Sequence, residues 1–171
     1  QVDLNPHQID AALFAARSPI SKGAILADEV GLGKTIEASL VWQELQARRD
    51  ARRLLILCPK TLATNWRSEL RTKFAIPAEI IDVERLNYHY EELLRQGENT
   101  RFALIATYTS ARGSSEDFEA IRDEEEPRSK MGRMVKAWNE WQHPYFFADL
   151  VIFDEAHILR TPTSLTSRTA R

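Results

Sequence analysis

Two short stretches carry the residue types that phosphate chemistry needs: Asp28-Glu29-Val30-Gly31-Leu32-Gly33-Lys34-Thr35 and Asp154-Glu155-Ala156-His157. In the first, Gly31 and Gly33 let the backbone turn tightly and aim its N–H groups at phosphate oxygens. A helix starting there adds its positive end. Lys34 would bridge β- and γ-phosphates, and the Thr35 hydroxyl would hold magnesium. The strict glycine-rich pattern wants glycine where Asp28 stands. In the second stretch, an apolar run delivers two carboxylates at its end, where ligands bind in open α/β sheets. Asp154 would hold magnesium, in part through water, and Glu155 would orient or deprotonate an attacking water. His157 reads as a coupling residue, since no companion ligands lie at metal-binding spacing. Either stretch alone is also what an ordinary strand-to-helix turn or a solvated strand end looks like. About 120 residues apart, they support each other.

Three weaker features gain meaning from that pair. Pro6-His7-Gln8 lies about 20 residues before the glycine-rich loop, where a side-chain amide can read both the donor and the acceptor on an adenine edge. Pro59-Lys60-Thr61 and Thr107-Tyr108-Thr109 each follow an apolar run. Their hydroxyls and N–H groups suit a phosphodiester backbone gripped without regard to base sequence, and equally suit plain turn and cap chemistry.

The elements that must position these residues are legible as pattern. Nearly uninterrupted apolar runs at 24–27, 54–58, 102–106 and 150–153 read as strands buried on both faces of a parallel sheet. Between them, Ile36, Leu40, Val41 and Leu45 recur at helical spacing from Thr35 to about Arg49, and Leu62, Trp66, Leu70 and Phe74 from about Thr61 until Pro77. Residues 6–16 form a leading helix capped by Asn5, with Ile9, Leu13 and Phe14 expected to face inward; residues 91–96 form a helix that Gly97 ends. Strand–helix alternation in this order predicts a three-layer, doubly wound, mostly parallel α/β fold. From Gly113 to about Pro144 the pattern changes to an acidic run, 123–126, then a helix carrying Met131, Met134, Val135, Trp138 and Trp141. This reads as a helical excursion with the acids as a solvated face, and the paired tryptophans as either internal packing or an apolar docking face.

Bulk properties narrow the class. The chain has 171 residues, 43% apolar and 28% charged, with a net charge of −2 and a single cysteine. That is one domain's worth of chain with no internal disulfide framework, which fits a reducing, intracellular setting. No run approaches the roughly 20 apolar residues that span a bilayer, so no membrane partner is expected. The charge carries no global footprint for nucleic acid and leaves only a local or shared basic surface. Cys58, inside an aliphatic run, reads as a buried small side chain.

Taken together these segments resemble the helicase superfamily 2 ATPases, and among them the Swi/Snf-type double-stranded DNA translocases. Leu4-Asn5-Pro6-His7-Gln8 is similar to the family's adenine-reading motif, residues 25–35 to its motif I, where aspartate in place of the first glycine is the rule. Leu55-Ile56-Leu57-Cys58-Pro59-Lys60-Thr61-Leu62 with Asn65-Trp66 is similar to motif Ia, Thr107-Tyr108 to the motif after the next strand, and residues 154–157 to motif II. The form Asp-Glu-Val-Gly-Leu-Gly-Lys-Thr-Ile-Glu-Ala at 28–38 is most similar to the bacterial branch, which includes the ATPase that recycles RNA polymerase and phage-defence translocases. The resemblance implies a P-loop, RecA-like first lobe over residues 1–171, with ATP and Mg2+ as cofactors. It implies duplex DNA, a second RecA-like lobe, and RNA polymerase or a defence complex as partners, in a bacterial cytoplasm. Within these 171 residues no counterpart of motif III or of the second lobe's arginine fingers is found, so the segment by itself is expected to hydrolyse ATP poorly. Two alternatives stay open: a DEAH-type single-strand helicase lobe, and a nucleotide-binding or docking module that never hydrolyses.

Overall fold

The computed structural model describes residues 5–17, 24–26, 33–111, 114–140, 142 and 146–159. Helix α1 spans Pro6–Arg17 and α2 Lys34–Arg49, followed by β1 Arg53–Cys58, α3 Ala63–Phe74, β2 Glu79–Ile81 and α4 Val83–Gln96. Then come β3 Phe102–Thr107, α5 Ser115–Arg122, α6 Lys130–Asn139 and β4 Leu150–Phe153, with short 3-10 turns after α4 and after β4. The four strands pair in the order β2-β3-β1-β4, every pairing parallel.

Side-chain alternation divides the core between the two sheet faces. Leu54, Ile56 and Cys58 of β1 and Ile105 of β3 point to a cluster with Ala38 and Trp42 of α2 and with Ala63, Trp66 and Leu70 of α3. Leu55 of β1, with Leu104 and Ala106 of β3, points the other way, to Leu86 of α4 and Met134 of α6. Helices on both faces of a parallel sheet make the three-layer arrangement that the pattern predicts. Aliphatic residues fill the central strands because both faces are covered. The excursion is therefore part of the core: Met131, Met134 and Val135 are buried, and Trp138 packs on Phe147 at 5.6 Å between ring centroids. Asp123, Glu124, Glu125 and Glu126 are all exposed, as a solvated face should be.

Three expectations are corrected. Residues 24–26 lie outside any strand and Ile25 is 93% exposed; Ala27 lies outside the described residues. Only Leu26 of that run packs into the core. An apolar run becomes a strand only when a neighbour takes its backbone N–H and C=O groups, and none of β1–β4 pairs with it. Helix α1 buries Gln8 and Ala12, while Ile9 and Phe14 are exposed. Its inward face is set by an amide that finds partners, described below. Finally α4 begins at Val83, well before residue 91, because Asp82 caps it by accepting a hydrogen bond from the Arg85 N–H at 2.9 Å.

The entry to β4 is latched to β1. Asp149 accepts from the N–H groups of Arg52 (2.8 Å) and Arg53 (2.9 Å) and pairs with the buried Arg53 guanidinium at 2.6 Å. Burial alone would raise the Asp149 carboxyl; the Arg53 side chain and the two N–H donors outweigh it and hold the group below its ordinary range. That latch fixes the register Leu54↔Leu150 to Leu57↔Phe153, and with it the height at which the next residue, Asp154, leaves the sheet.

Candidate active site at the strand ends

Asp154 continues the ladder for one more hydrogen bond, its N–H donating to the Leu57 carbonyl at 2.9 Å. Three further bonds converge on it. The Trp66 indole Nε1–H donates to Oδ2 at 2.8 Å, the Glu155 N–H donates to Oδ1 at 2.9 Å, and the Tyr108 hydroxyl donates to the Asp154 carbonyl at 2.8 Å. Glu155 follows in the left-handed region at φ 53°, a conformation that costs a non-glycine residue about 1 kcal/mol or more and so needs a reason in its surroundings. Its carboxylate is exposed and lies 3.0 Å from Nδ1 of His157, itself exposed.

The surroundings of Asp154 are apolar and tight. Burial pushes the Cys58 thiol up to about 11, with the Asp154 charge adding to it, so this cysteine is an inert core residue. Burial also pushes the Tyr108 hydroxyl up to about 12, helped by the charges of Asp154, Cys58 and Glu155. A phenol held protonated is a dependable donor to the Asp154 carbonyl.

The second half of the candidate site begins at Gly33. Its φ of 96° makes it the left-handed cap of α2, and its carbonyl accepts from Ile36 (2.7 Å) and Glu37 (3.1 Å). A Cβ there would stand 2.3 Å from Nε2 of Gln8, so glycine is required both by conformation and by the approach of that amide. Gln8 is 3% exposed, and its Oε1 accepts from the Asn5 N–H at 3.1 Å. Sequence reasoning gave Gln8 an adenine-reading role; in the fold its amide lies against Gly33. His7 is exposed. Lys34 and Thr35 form the first two residues of α2, each half-buried. Asp28, Glu29, Val30, Gly31 and Leu32 lie outside the described residues.

Helix α2 ends at Arg49, β1 starts at Arg53, and the two pack in one core, so α2 must run back along the strand. Sixteen helical residues cover about 24 Å at 1.5 Å each and six strand residues about 20 Å. Lys34 and Thr35 open α2, and Asp154 directly follows the last residue of β4.

Of the four residues expected to touch nucleic acid, Lys60 and Thr61 are exposed on the turn after β1. Thr107 and Tyr108 are both buried. The Thr107 hydroxyl is engaged with Thr109 (2.9 Å) and Ser110 (3.0 Å), and that of Tyr108 with Asp154. Their side chains serve the protein's own interior. Trp66 was read as a helix-face residue and as part of the resemblance to motif Ia, and its bond to Asp154 was not foreseen. A buried tryptophan has one N–H to satisfy, and that requirement was the signal.

A parallel three-layer sheet defines an α/β class in which ligands bind at the carboxyl ends of the strands, and Asp154 stands at one of those ends. Comparison with known proteins supplies the family. A model of the SNF2-related domain matches residues 7–171, and the chain belongs to that family. The Bacillus subtilis protein "Uncharacterized ATP-dependent helicase YqhH" is 49% identical over 73 residues, 43% of this chain and 13% of that protein. The structure described as "Sulfolobus solfataricus SWI2/SNF2 ATPase core in complex with dsDNA" superposes with a TM-score of 0.66 at 18% identity, covering 98% of this chain and 29% of that one. This chain thus spans well under half the length of either relative.

Proposed function

We propose that this chain is the ATP-binding first lobe of a Swi/Snf-type DNA-dependent ATPase that translocates on double-stranded DNA to remodel or displace bound protein. What supports the reading is a helix, α2, that opens behind Gly33 with Lys34 and Thr35, and a strand, β4, followed by an Asp154 held by three hydrogen bonds; α2 running back along β1 would bring the two to one end of the sheet. The Bacillus relative is named ATP-dependent and the Sulfolobus core was captured with dsDNA, which supports both ligands.

The donor chemistry fits magnesium, a hard cation that takes oxygen ligands. Asp154 and Thr35 would hold it. Among the described residues no three His, Cys, Asp or Glu side chains gather as a metal cage, so phosphate and water oxygens must complete the shell. When bound, magnesium neutralises charge across the β- and γ-phosphates. Lys34 bridges those same phosphates, and Gln8 reads adenine. Glu155 takes the proton of the attacking water at its exposed carboxylate, and His157 couples that carboxylate to the surface. Lys60 and Thr61 grip the DNA backbone. A second lobe supplies arginine fingers worth about 10³–10⁵ in rate, so these 171 residues alone hydrolyse ATP poorly. The cargo belongs to the classes implied by the bacterial branch, RNA polymerase or a defence complex, in the cytoplasm. No described helix is long and apolar enough to cross a membrane.

The test uses the full-length protein with duplex or single-stranded DNA and measures phosphate release and displacement of a streptavidin block from duplex. Duplex is expected to stimulate both, and Glu155→Gln to abolish them. Stimulation by single strands alone would transfer the assignment to the DEAH-type helicases. Phosphate release untouched by Glu155→Gln would reduce the chain to a docking module. That reading has lost its best support, since the apolar face of α6 is already covered.

A further inference from the structure

The two turns that follow β1 and β3 each send one hydrogen bond to the same residue. After β1, the turn carrying Lys60 and Thr61 closes with Leu62 N–H donating to the Pro59 carbonyl at 2.9 Å. It passes into α3 through Trp66 N–H donating to the Leu62 carbonyl at 2.9 Å. Trp66, 4% exposed, then reaches across to the Asp154 carboxylate. After β3, the Tyr108 N–H is anchored on the Cys58 carbonyl at 3.1 Å, and its hydroxyl reaches the Asp154 carbonyl.

The choice of donors has chemical content. An indole N–H only donates and an uncharged ring cannot neutralise a carboxylate, so Trp66 orients Asp154 without reducing its negative charge. An arginine or lysine there would compete with a cation for the same oxygens. With one lone pair of Oδ2 given to Trp66 and one of Oδ1 to the Glu155 N–H, one pair on each oxygen is left to accept from a metal-bound water. Fixing the main chain through Tyr108 removes the other freedom, rotation of the Asp154 peptide.

We propose that Trp66 and Tyr108 are positioning residues for the Asp154 carboxylate, and that through them the turn at residues 59–62 is mechanically joined to the magnesium position. The proposal rests on the reading of Asp154 as the magnesium-holding carboxylate. Partners of a ligating group commonly cost 10–100-fold in metal affinity when removed.

The experiment titrates magnesium chloride into the full-length protein at a fixed concentration of a fluorescent, non-hydrolysable ATP analogue and reads the metal midpoint of binding. Trp66→Phe and Tyr108→Phe each delete one donor and keep an aromatic ring. Leu70→Ala, one turn further along α3, is the packing control. Trp66→Phe is expected to raise the midpoint about tenfold and Tyr108→Phe by a smaller factor, with metal-free binding of the analogue unchanged. Leu70→Ala should lower the melting temperature and leave the midpoint in place. A Trp66→Phe protein that melts lower with an unmoved midpoint would overturn the proposal. If it fails to fold, an unmoved midpoint in Tyr108→Phe does the same. Asp154→Asn separates the two layers of argument. An unmoved midpoint in that variant brings down the reading of Asp154 and this inference together, whereas a shift in Asp154→Asn alone brings down only the role of Trp66 and Tyr108.

Discussion

Two carboxylates in this fold are held by several hydrogen bonds each, and they are held differently. Asp117, 2% exposed, joins the starts of α5 and α6. Its Oδ2 accepts from the Ser114 N–H (3.0 Å), the Ser114 hydroxyl (2.7 Å) and the Ser129 hydroxyl (2.6 Å), and its Oδ1 from the Ser129 N–H (3.1 Å). A carboxylate offers about four lone-pair positions, and Asp117 receives four donors, three on Oδ2 and one on Oδ1, all from the caps of two helices. Asp154 receives two donors on its carboxylate and one on its carbonyl. Its orientation is fixed and half its accepting capacity is kept. Asp117 ties two helix caps together, whereas Asp154, just past the end of β4, keeps accepting capacity for a further donor.

The sharpest way to break that contrast is to neutralise each. Asp154→Asn in the full-length protein should lower ATP hydrolysis by about 10²–10³-fold, the several kcal/mol that a metal's charge contributes to a phosphoryl transition state. Asp117→Asn should leave the rate per folded molecule where it was. Equal losses in the two variants would show that both acids act through the fold. Next in size is Asp149→Ala. It removes the carboxylate paired with the Arg53 guanidinium, whose side chain is 6% exposed, and should cost about 3 kcal/mol, the low end for breaking such a pair because Asp149 keeps some solvent. Chemical denaturation measures it, and a cost under about 1 kcal/mol would mean that β4 is held in register by its ladder alone.

How much of this contrast was readable beforehand depends on the range of the interaction. β1, β3 and β4 are continuous aliphatic runs, and for the central pair β1 and β3 a buried position follows from that; β4 lies at the sheet edge with Val151 40% and Phe153 37% exposed, which corrects its expected burial on both faces. The short edge strand β2 has only Glu79, Ile80 and Ile81 and carries no such signature. The run at 24–27 misled because apolarity says nothing about which backbone will pair with it. Asp154 was visible as a letter in a motif, but its partners were not. Trp66 is 88 residues away, and only the packing of α3 against β1 and β4 joins them. The inward turn of Tyr108 was missed for the same reason. The burial of Gln8 inverted the expected face of α1. An amide with its bonds made can be buried where periodicity alone would put Ile9 or Phe14.

The Asp117 carboxylate gives a pH test. Burial works to raise Asp117, and the bonds from Ser129 and Ser114 outweigh it, holding the group at about 2 against an ordinary 3.8. The folded value is depressed, so its contribution is complete above pH 4 and is lost as pH falls toward 2. It amounts to about 2 kcal/mol. Gly132 belongs to the same device, since a Cβ there would meet the Asp117 carboxyl at 2.4 Å. Amide exchange in α5 and α6 should show Asp117→Asn faster by about that energy at pH 7, with the gap closing between pH 4 and 2. A gap that stays constant across that interval would deny the carboxylate its role in the two caps.

The smallest effect concerns two residues with nearly the same backbone. Ala75 (φ 55°) and Glu155 (φ 53°) are both left-handed without being glycine. At Ala75 the conformation ends α3, its N–H donating to the Leu70 carbonyl, and the exposed methyl group contributes nothing that glycine would lack. Ala75→Gly should therefore stabilise the protein by about 1 kcal/mol and leave hydrolysis unchanged. Glu155→Gly relieves the same strain and should give a similar gain in melting temperature, but it deletes the group that faces the attacking water. If the strain at Glu155 serves only to turn the chain, the two variants will behave alike in both assays. If the left-handed turn exists to swing a carboxylate off the end of β4, stability will rise in both and hydrolysis will survive only in Ala75→Gly.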